Sequence, residues 1–149
     1  MIRCYRLSSG RYPSNSGKGA AIAGGRWNPT GVEAIYAAAS PSLAALEVLV
    51  RFSVLPHDFV LTEIHIPAEV AVESVADHNL PPGWQALSPV PATQEFGRRW
   101  ATEMRSAVLS VPSSIISLER NFVMNPFHPS FLLIEFLPSE PFRFDPRLK

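Results

Sequence analysis

Apolar and polar residues alternate along several short segments of this chain, the pattern typical of strands with one buried face. These segments predict strands at 2–7, 33–38, 58–66, 70–75, 107–111, 114–118 and 131–137, with a further edge strand at 142–144. Two other segments, 41–52 and 93–106, carry apolar residues at the three- and four-residue spacing of a helix. The sequence therefore predicts an α+β fold with a mixed, mostly antiparallel sheet and few helices.

The segments between these elements are rich in glycine, serine and proline. Residues 8–25 predict one long loop, and a loop of that length in a small domain is usually functional or mobile. Prolines within 81–83 and 89–91 bracket a second irregular stretch. Because no internal repeat is visible, we expect one compact domain over residues 1–149, long enough to bury a core without disulfides.

Composition and charge narrow the classes of function. The hydrophobic content of 46% argues against disorder, and a single cysteine, Cys4, excludes a disulfide framework and a cysteine-based zinc site. Thirteen basic and 13 acidic residues balance, so we expect no direct binding of nucleic acid. The first residues do not resemble a secretory signal, and no apolar run approaches the ~20 residues of a membrane span. We therefore expect a cytoplasmic protein without membrane contact.

The helix predicted over 41–52 contains one carboxylate in an otherwise apolar segment. A cap residue followed by proline marks its start. The stripe that the helical spacing turns toward the core consists of Leu43, Leu46, Glu47 and Val50. A partly buried carboxylate is costly unless it is paired or hydrogen-bonded. Glu47 therefore either forms an ion pair with Arg51, four residues later, or serves a ligand.

Other polar residues occur where a ligand could be bound. Arg26 follows two glycines, which let the backbone approach a ligand closely. Tyr36 lies near the end of the strand before the helix, and Ser113 follows a proline at a strand break. Asn121 and His128 belong to a polar segment before the last long apolar run. Each also has an ordinary structural explanation, as a surface arginine, a core aromatic or a turn residue, so none alone indicates an enzyme.

Common catalytic motifs are absent. The segment around Gly17 lacks the first glycine of a P-loop and the last glycine of the dinucleotide-binding fingerprint. The four histidines show no ligand spacing and no HExxH is present, so we expect no metal.

The order of the candidate residues, with the motifs around them, resembles the RES-domain family. These motifs are Gly-Gly-Arg-Trp-Asn-Pro at 24–29, Ser-Pro-Ser-Leu-Ala-Ala-Leu-Glu at 40–47, Val-Pro-Ser-Ser at 111–114 and Asn-Phe-Val-Met-Asn-Pro-Phe-His-Pro at 121–129. The family is named for an arginine, a glutamate and a serine, which match Arg26, Glu47 and Ser113. The resemblance implies an ADP-ribosyltransferase-like RES domain over 1–149 and a toxin whose partner is an Xre-type helix-turn-helix antitoxin. It also implies cleavage of the nicotinamide–ribose bond of NAD, which depletes the cell of NAD and arrests growth.

The chemistry of that bond suits the candidate residues, with NAD as substrate and no further cofactor. Cleavage passes through an oxocarbenium-like state, and a shielded carboxylate such as Glu47 stabilises its positive charge. Arg26 suits the pyrophosphate, Tyr36 could stack on nicotinamide, and Ser113 could orient the substrate or Glu47. The remaining residues expected to line the NAD site are Arg6, Asn121 and His128.

Two alternative functions stay open at this stage. A protein ADP-ribosyltransferase would use the same NAD site and the same residues, but would transfer ADP-ribose to a side chain instead of water. A non-catalytic module would keep the fold only to bind an antitoxin or a nucleotide. In each case the neutral net charge leaves DNA binding to the partner chain, and we expect a homo-oligomer within the antitoxin complex.

Overall fold

Eight strands, three α-helices and three short 3₁₀ helices follow one another along the chain. The computed structural model describes all 149 residues. The strands are β1 (Ile2–Ser9), β2 (Ile35–Ala38), β3 (Phe59–Ile66), β4 (Val72–Ser74), β5 (Val108–Pro112), β6 (Arg120–Met124), β7 (Glu135–Phe136) and β8 (Glu140–Phe142). The helices are α1 (Lys18–Ala23), α2 (Pro41–Leu49) and α3 (Pro91–Thr102), with 3₁₀ turns at Asp77–Asn79, Pro129–Leu133 and Pro146–Leu148. No helix is long and apolar enough to cross a membrane.

All eight strands belong to one sheet. Its order is β4-β5-β6-β2-β1-β3-β7, and β8 pairs with another part of β3. The pair of β4 and β5 is parallel, and every other pair is antiparallel. The predicted α+β fold with a mixed, mostly antiparallel sheet is confirmed.

The sheet divides into two halves between β1 and β2. β1 pairs with β3 along all eight of its residues, whereas β1 and β2 pair at one position, Tyr5 opposite Ala38. The next residue of β1, Arg6, reaches β2 with its guanidinium, where Nη1 donates to the carbonyl of Tyr36 (3.1 Å). A charged side chain therefore lies at the seam between the two halves.

The two faces of the sheet bear different layers. On β6, Phe122 and Met124 point to one face and join a cluster to which none of the α-helices contributes. Val123 points to the other face, where it packs with Trp100 of α3. Leu43 of α2 packs farther along that same face. All three α-helices thus cover the face to which the odd-numbered residues of β6 point.

Five of the predicted strands form with ends shifted by one or two residues: 2–7, 33–38, 58–66, 70–75 and 107–111. The strand predicted at 114–118 is wrong, because the Ser113 hydroxyl accepts the amides of Ile115 (3.0 Å) and Ile116 (3.1 Å) and closes a turn. The pairing strand, β6, begins at Arg120.

The strand predicted at 131–137 is mostly wrong, since Pro129–Leu133 is a 3₁₀ helix and β7 is two residues long. The His128 ring caps that helix by accepting the amide of Ser130 (3.0 Å). Leu132 is 89% exposed and Leu133 is also exposed, whereas Ile134 joins the core, so this run does not pack as one continuous strand. The edge strand predicted at 142–144 forms as β8, which lies two residues earlier.

The helix predictions hold for α2 and α3, but α1 was expected to be loop. α2 buries only Leu43 of the predicted stripe; its other buried residues are Ala44, Val48 and Leu49. Glu47 and Leu46 are half-buried, and Val50 is 62% exposed. Because this helix is apolar on nearly all sides, its period alone could not select the buried face.

Helix α3 fixes the segment that follows α1. Trp27 is buried and its ring meets Phe96 of α3 edge-on, with centroids 5.8 Å apart. A Cβ on Gly97 would lie 1.6 Å from the carbonyl oxygen of Trp27, so the helix and the loop backbone touch at a glycine. This contact holds the loop that carries Arg26.

Gly97→Ala should destabilise the protein, although alanine is the better helix former. The added methyl group meets backbone, which cannot rotate away, so the loss should reach or exceed the usual cost of overpacking, about 1–3 kcal/mol. Urea unfolding followed by tryptophan fluorescence measures it. Gly19→Ala in α1 is the matched control, since nothing lies within 4 Å of its Cβ position. An unchanged urea midpoint for Gly97→Ala would contradict the packing.

Candidate active site

Helix α2 carries Glu47 to the helix-covered face of the sheet. Its start is fixed by Ser40, whose hydroxyl accepts the amide of Leu43 (3.1 Å) and donates to Glu119 Oε1 (2.8 Å). Glu119 lies in the turn between β5 and β6, so the helix start is tied to that turn. Glu47 follows the buried Leu43 by four residues and therefore points to the same side.

Two uncharged donors hold one oxygen of the Glu47 carboxylate. Ser113 Oγ donates to Glu47 Oε2 (3.0 Å), and Asn121 Nδ2 donates to the same atom. The Ser113 oxygen already accepts two backbone amides, so its proton is left for the carboxylate. Glu47 Oε1 makes no hydrogen bond with the protein. The carboxylate is thus oriented through one oxygen and offers the other.

The alternative of a Glu47–Arg51 ion pair is not realised. Seven ion pairs occur in the structure, and neither residue takes part in any of them. Since Ser113 and Asn121 hold the carboxylate instead, Glu47 is positioned without its charge being neutralised.

Tyr36 lies on β2 with its hydroxyl fully engaged. The hydroxyl donates to Asn28 Oδ1 (2.6 Å) and accepts the amide of Trp27 (3.0 Å). Burial raises the pKa of this phenol far above its usual value. Because its proton is committed to Asn28, Tyr36 can offer a ligand its ring but not a hydroxyl proton.

Asn28 is a site residue that the sequence did not single out. It is 1% exposed, and its Nδ2 donates to the carbonyls of Ala20 (2.8 Å), Val32 (2.9 Å) and Pro29 (3.2 Å). One side chain thereby connects α1, the following loop and Tyr36. The signal was present in the motif at 24–29, but an asparagine before a proline also suits an ordinary turn.

Arg26 extends from this loop toward the irregular stretch between β4 and α3. Its Nη1 donates to the carbonyl of Trp84 (2.7 Å). Burial lowers the pKa of its guanidinium, and the nearby charge of Glu47 raises it in part. The stretch at 81–91, which showed no signature in the sequence, therefore supplies a backbone acceptor for the site.

Arg6 is the most desolvated cation of the group. It donates to the carbonyls of Tyr36 (3.1 Å) and Ser16 (3.5 Å), while its Nε is buried without a partner. Burial, and to a smaller extent the charge of Arg51, lowers its pKa to about 10. No carboxylate pairs with it.

The structure brings six of the seven predicted residues together. Asn121 contacts Glu47 directly, while His128 follows β6 at the strand's opposite end. Three residues of strand, about 10 Å, separate Asn121 from the last residue of β6. The ring nitrogen of His128 is used as a helix cap, and His128 contacts neither Glu47, Arg26 nor Tyr36 through a hydrogen bond.

Charge at this cluster is unbalanced. Three guanidinium groups, those of Arg6, Arg26 and Arg51, lie in Coulombic range of one another or of Glu47. Three positive groups against one carboxylate leave a net charge of +2. A partly buried cation without a counter-ion is unfavourable, so the cluster suits an anionic ligand. No group of three or more histidine, cysteine or acidic side chains is arranged to hold a metal ion.

Two cavities lie elsewhere and do not include Glu47. One, of about 200 Å³, is lined by the Gly31–Glu33 segment, the end of α3, Asn125 and Phe127. The other, of about 280 Å³, lies between the start of β3 and β8. The second cavity also has an acidic and a basic residue, Asp58 and Arg143, but none of the residues that the sequence singled out lines either cavity.

Comparison with known proteins shows the family to which the chain belongs. The RES-domain family model matches residues 3–145. The "Prs ADP-ribosylating toxin" of Sphingobium sp. (strain YBL2) is 42% identical over 137 residues, covering 89% of this chain and 85% of that protein. "Toxin Res" of Photorhabdus laumondii subsp. laumondii is 40% identical over 131 residues, covering 85% and 83%.

A solved structure shares the fold. It is the toxin–antitoxin complex MbcT–MbcA of M. tuberculosis, with a TM-score of 0.68 and 19% identity over 99% of this chain and 86% of that chain. The family model spans nearly the whole chain, and the curated relatives are named as toxins. This chain belongs to the RES-domain family.

Proposed function

We propose that this chain is the toxin of a toxin–antitoxin pair and that it cleaves NAD at the nicotinamide–ribose bond. The observation that carries the proposal is the Glu47 carboxylate, oriented through one oxygen and free at the other, beside three arginines and the ring of Tyr36. The toxin names of the relatives support the biological role.

The free oxygen of Glu47 suits the charge that develops during cleavage. Nicotinamide leaves as a neutral molecule from a cationic ring, so no strong general acid is required. The ribose carbon becomes positive, and a carboxylate in a water-poor site stabilises it more in the transition state than in the bound substrate. Ser113 and Asn121 act as positioning residues, because they hold Glu47 Oε2 and leave Oε1 for the ribose.

The arginines suit the two negative charges of the pyrophosphate. Arg26 spends one nitrogen, Nη1, on the Trp84 carbonyl and keeps its remaining donors for a phosphate oxygen. Arg6 donates to the backbone of β2, and its buried positive charge attracts the phosphates electrostatically. Tyr36, whose hydroxyl is engaged, offers a ring face on which nicotinamide can stack.

A protein ADP-ribosyltransferase is the second candidate. The name of the Sphingobium relative, a "Prs ADP-ribosylating toxin", favours it. Both reactions need the same stabilised ribose cation, and only the nucleophile that captures it differs. We also propose an Xre-type antitoxin as the partner and a homo-oligomer within that complex, in line with the toxin–antitoxin assembly of the structural relative.

The deciding experiment incubates purified protein with NAD and identifies the products. Free nicotinamide and ADP-ribose indicate hydrolysis, whereas a mass increase on an added protein indicates transfer. Expression without an antitoxin, with cellular NAD measured, tests the toxin role. A protein that neither consumes NAD nor modifies proteins would leave only the non-catalytic binding module.

Glu47→Gln should lower kcat for NAD loss by about 100- to 1,000-fold, the usual effect of removing one preorganised charge-stabilising group. Glutamine keeps the shape and one acceptor oxygen, so the melting temperature should stay near that of the wild type. Glu95→Gln on α3 is the control, because Glu95 is an exposed carboxylate paired with Arg98. Near wild-type cleavage by Glu47→Gln would rule out this mechanism.

Arg26→Ala should raise the KM for NAD about tenfold or more and change kcat less, since a phosphate contact is made in both the ground state and the transition state. Steady-state kinetics measure both constants. Arg26→Lys should recover part of the loss, because a point charge replaces the planar guanidinium. The opposite split, a large fall in kcat at constant KM, would place Arg26 at the reacting bond.

Tyr36→Phe should separate the ring from its hydroxyl. It leaves Asn28 Oδ1 and the Trp27 amide without a partner, which should reduce the free energy of unfolding by about 1–3 kcal/mol. The ring remains, so the KM for NAD should change little in the folded protein. Tyr12→Phe, at a side chain 70% exposed, is the stability control. A large loss of kcat with unchanged stability would show that the hydroxyl takes part in the chemistry.

A further inference from the structure

Arg51 is a cation at the site that neither the motifs nor the comparisons assign. It follows Glu47 by four residues, just past the end of α2, and so lies one helical turn farther along the same side. Its backbone amide donates to the carbonyl of Val48 (3.1 Å), which fixes where the side chain begins. Arg51 therefore begins in the turn that directly follows the helix of Glu47.

The guanidinium of Arg51 has no protein partner. It takes part in no side-chain hydrogen bond and in none of the seven ion pairs, although Glu47 is at the spacing that favours one. The residue as a whole is exposed, yet burial around its guanidinium lowers the pKa, which the charge of Glu47 raises in part. All five donors of the guanidinium remain available for a ligand.

The groups that face Arg51 show which ligand would suit it. Glu47 is held by Ser113 and Asn121, and Arg6 is a second cation whose Nε is buried without a partner. Arg6 and Arg51 repel each other, and neither forms an ion pair with an acidic side chain. An anion with two charges would relieve this repulsion and balance the net charge of the cluster.

We propose that Arg51 is a substrate-binding residue that contacts a phosphate oxygen of the dinucleotide, so that Arg26 and Arg51 hold the pyrophosphate between them. This rests on the proposed cleavage of NAD. Because Arg51 follows Glu47 by about one turn, just past the end of α2, the phosphate contact sets the distance between the pyrophosphate and the free oxygen of Glu47. Binding energy from the phosphates then positions the ribose at the carboxylate.

The test compares Arg51→Ala, Arg51→Lys and the wild type. Arg51→Ala should raise the KM for NAD about tenfold and weaken ADP-ribose binding by the same factor in calorimetry, while kcat changes less than about twofold. Inhibition by nicotinamide, which carries no phosphate, should not change. Arg51→Lys should bind ADP-ribose with intermediate affinity, because ammonium keeps the charge without the planar donors.

Stability provides the readout that separates this role from a structural one. Arg51 makes no side-chain hydrogen bond and no ion pair, and it repels Arg6, so Arg51→Ala should melt at or above the wild-type temperature. Arg99→Ala is the matched control, since Arg99 also lies at a helix end but is exposed and paired with Glu103 (3.5 Å). It should leave the KM for NAD and ADP-ribose binding unchanged.

Two results would overturn the proposal. Unchanged ADP-ribose affinity in Arg51→Ala would remove Arg51 from the phosphate site, with NAD cleavage left intact. Equal losses for ADP-ribose and nicotinamide, together with a lower melting temperature, would make Arg51 a structural residue. If the wild type does not cleave NAD, the proposed function fails; ADP-ribose binding that weakens in Arg51→Ala would then still support the phosphate contact.

Discussion

The site depends on one constraint: the half-buried carboxylate of Glu47 is held by uncharged donors and not by a cation. A hydroxyl and an amide orient Oε2 without neutralising its charge, which an arginine would do. The three nearby arginines are consequently left without a carboxylate partner. A single choice of hydrogen-bond partner thus yields both an available negative oxygen and an unbalanced positive cluster. The two are opposite in sign and adjacent, which matches a ligand that carries phosphates next to a carbon that becomes positive.

The rest of the fold serves to bring these groups together from distant parts of the chain. Ser113 is 66 residues and Asn121 is 74 residues from Glu47, and the antiparallel pairing of β5 with β6 places both beside α2. The Arg26 loop is fixed separately, by Asn28 from one side and by the contact of Trp27 with Gly97 from the other. The site is therefore assembled on rigid backbone, which favours a preorganised electrostatic role over one that needs a moving side chain.

The sequence could predict features that depend on neighbouring residues, but not contacts between residues that are distant along the chain. The partial burial of Glu47 could be predicted from its own helix, because a helix that is apolar on nearly all sides has few exposed positions for a carboxylate. Its partners could not be derived from spacing, and the nearest cation, Arg51, was the wrong one. The turn at Ser113 and the 3₁₀ helix after His128 replaced predicted strands, since side-chain capping of backbone amides outweighed apolar alternation. The acceptor at Trp84 is a backbone carbonyl, which every residue type has, so no sequence motif could have predicted this contact.

The same electrostatics bear on which nucleophile would capture the ribose cation. The proposed hydrolysis and the proposed transfer both use Glu47, and no second carboxylate is hydrogen-bonded within its cluster. A bound pyrophosphate balances the net charge of +2, so the arginines do not by themselves repel a basic acceptor. A protonated lysine or arginine has no free electron pair, however, and must lose a proton before it can attack. Water and a neutral hydroxyl attack without that earlier step, and Glu47 Oε1 can accept a proton from either as the new bond forms. A single carboxylate at the site thus favours a neutral oxygen nucleophile over a protonated basic side chain.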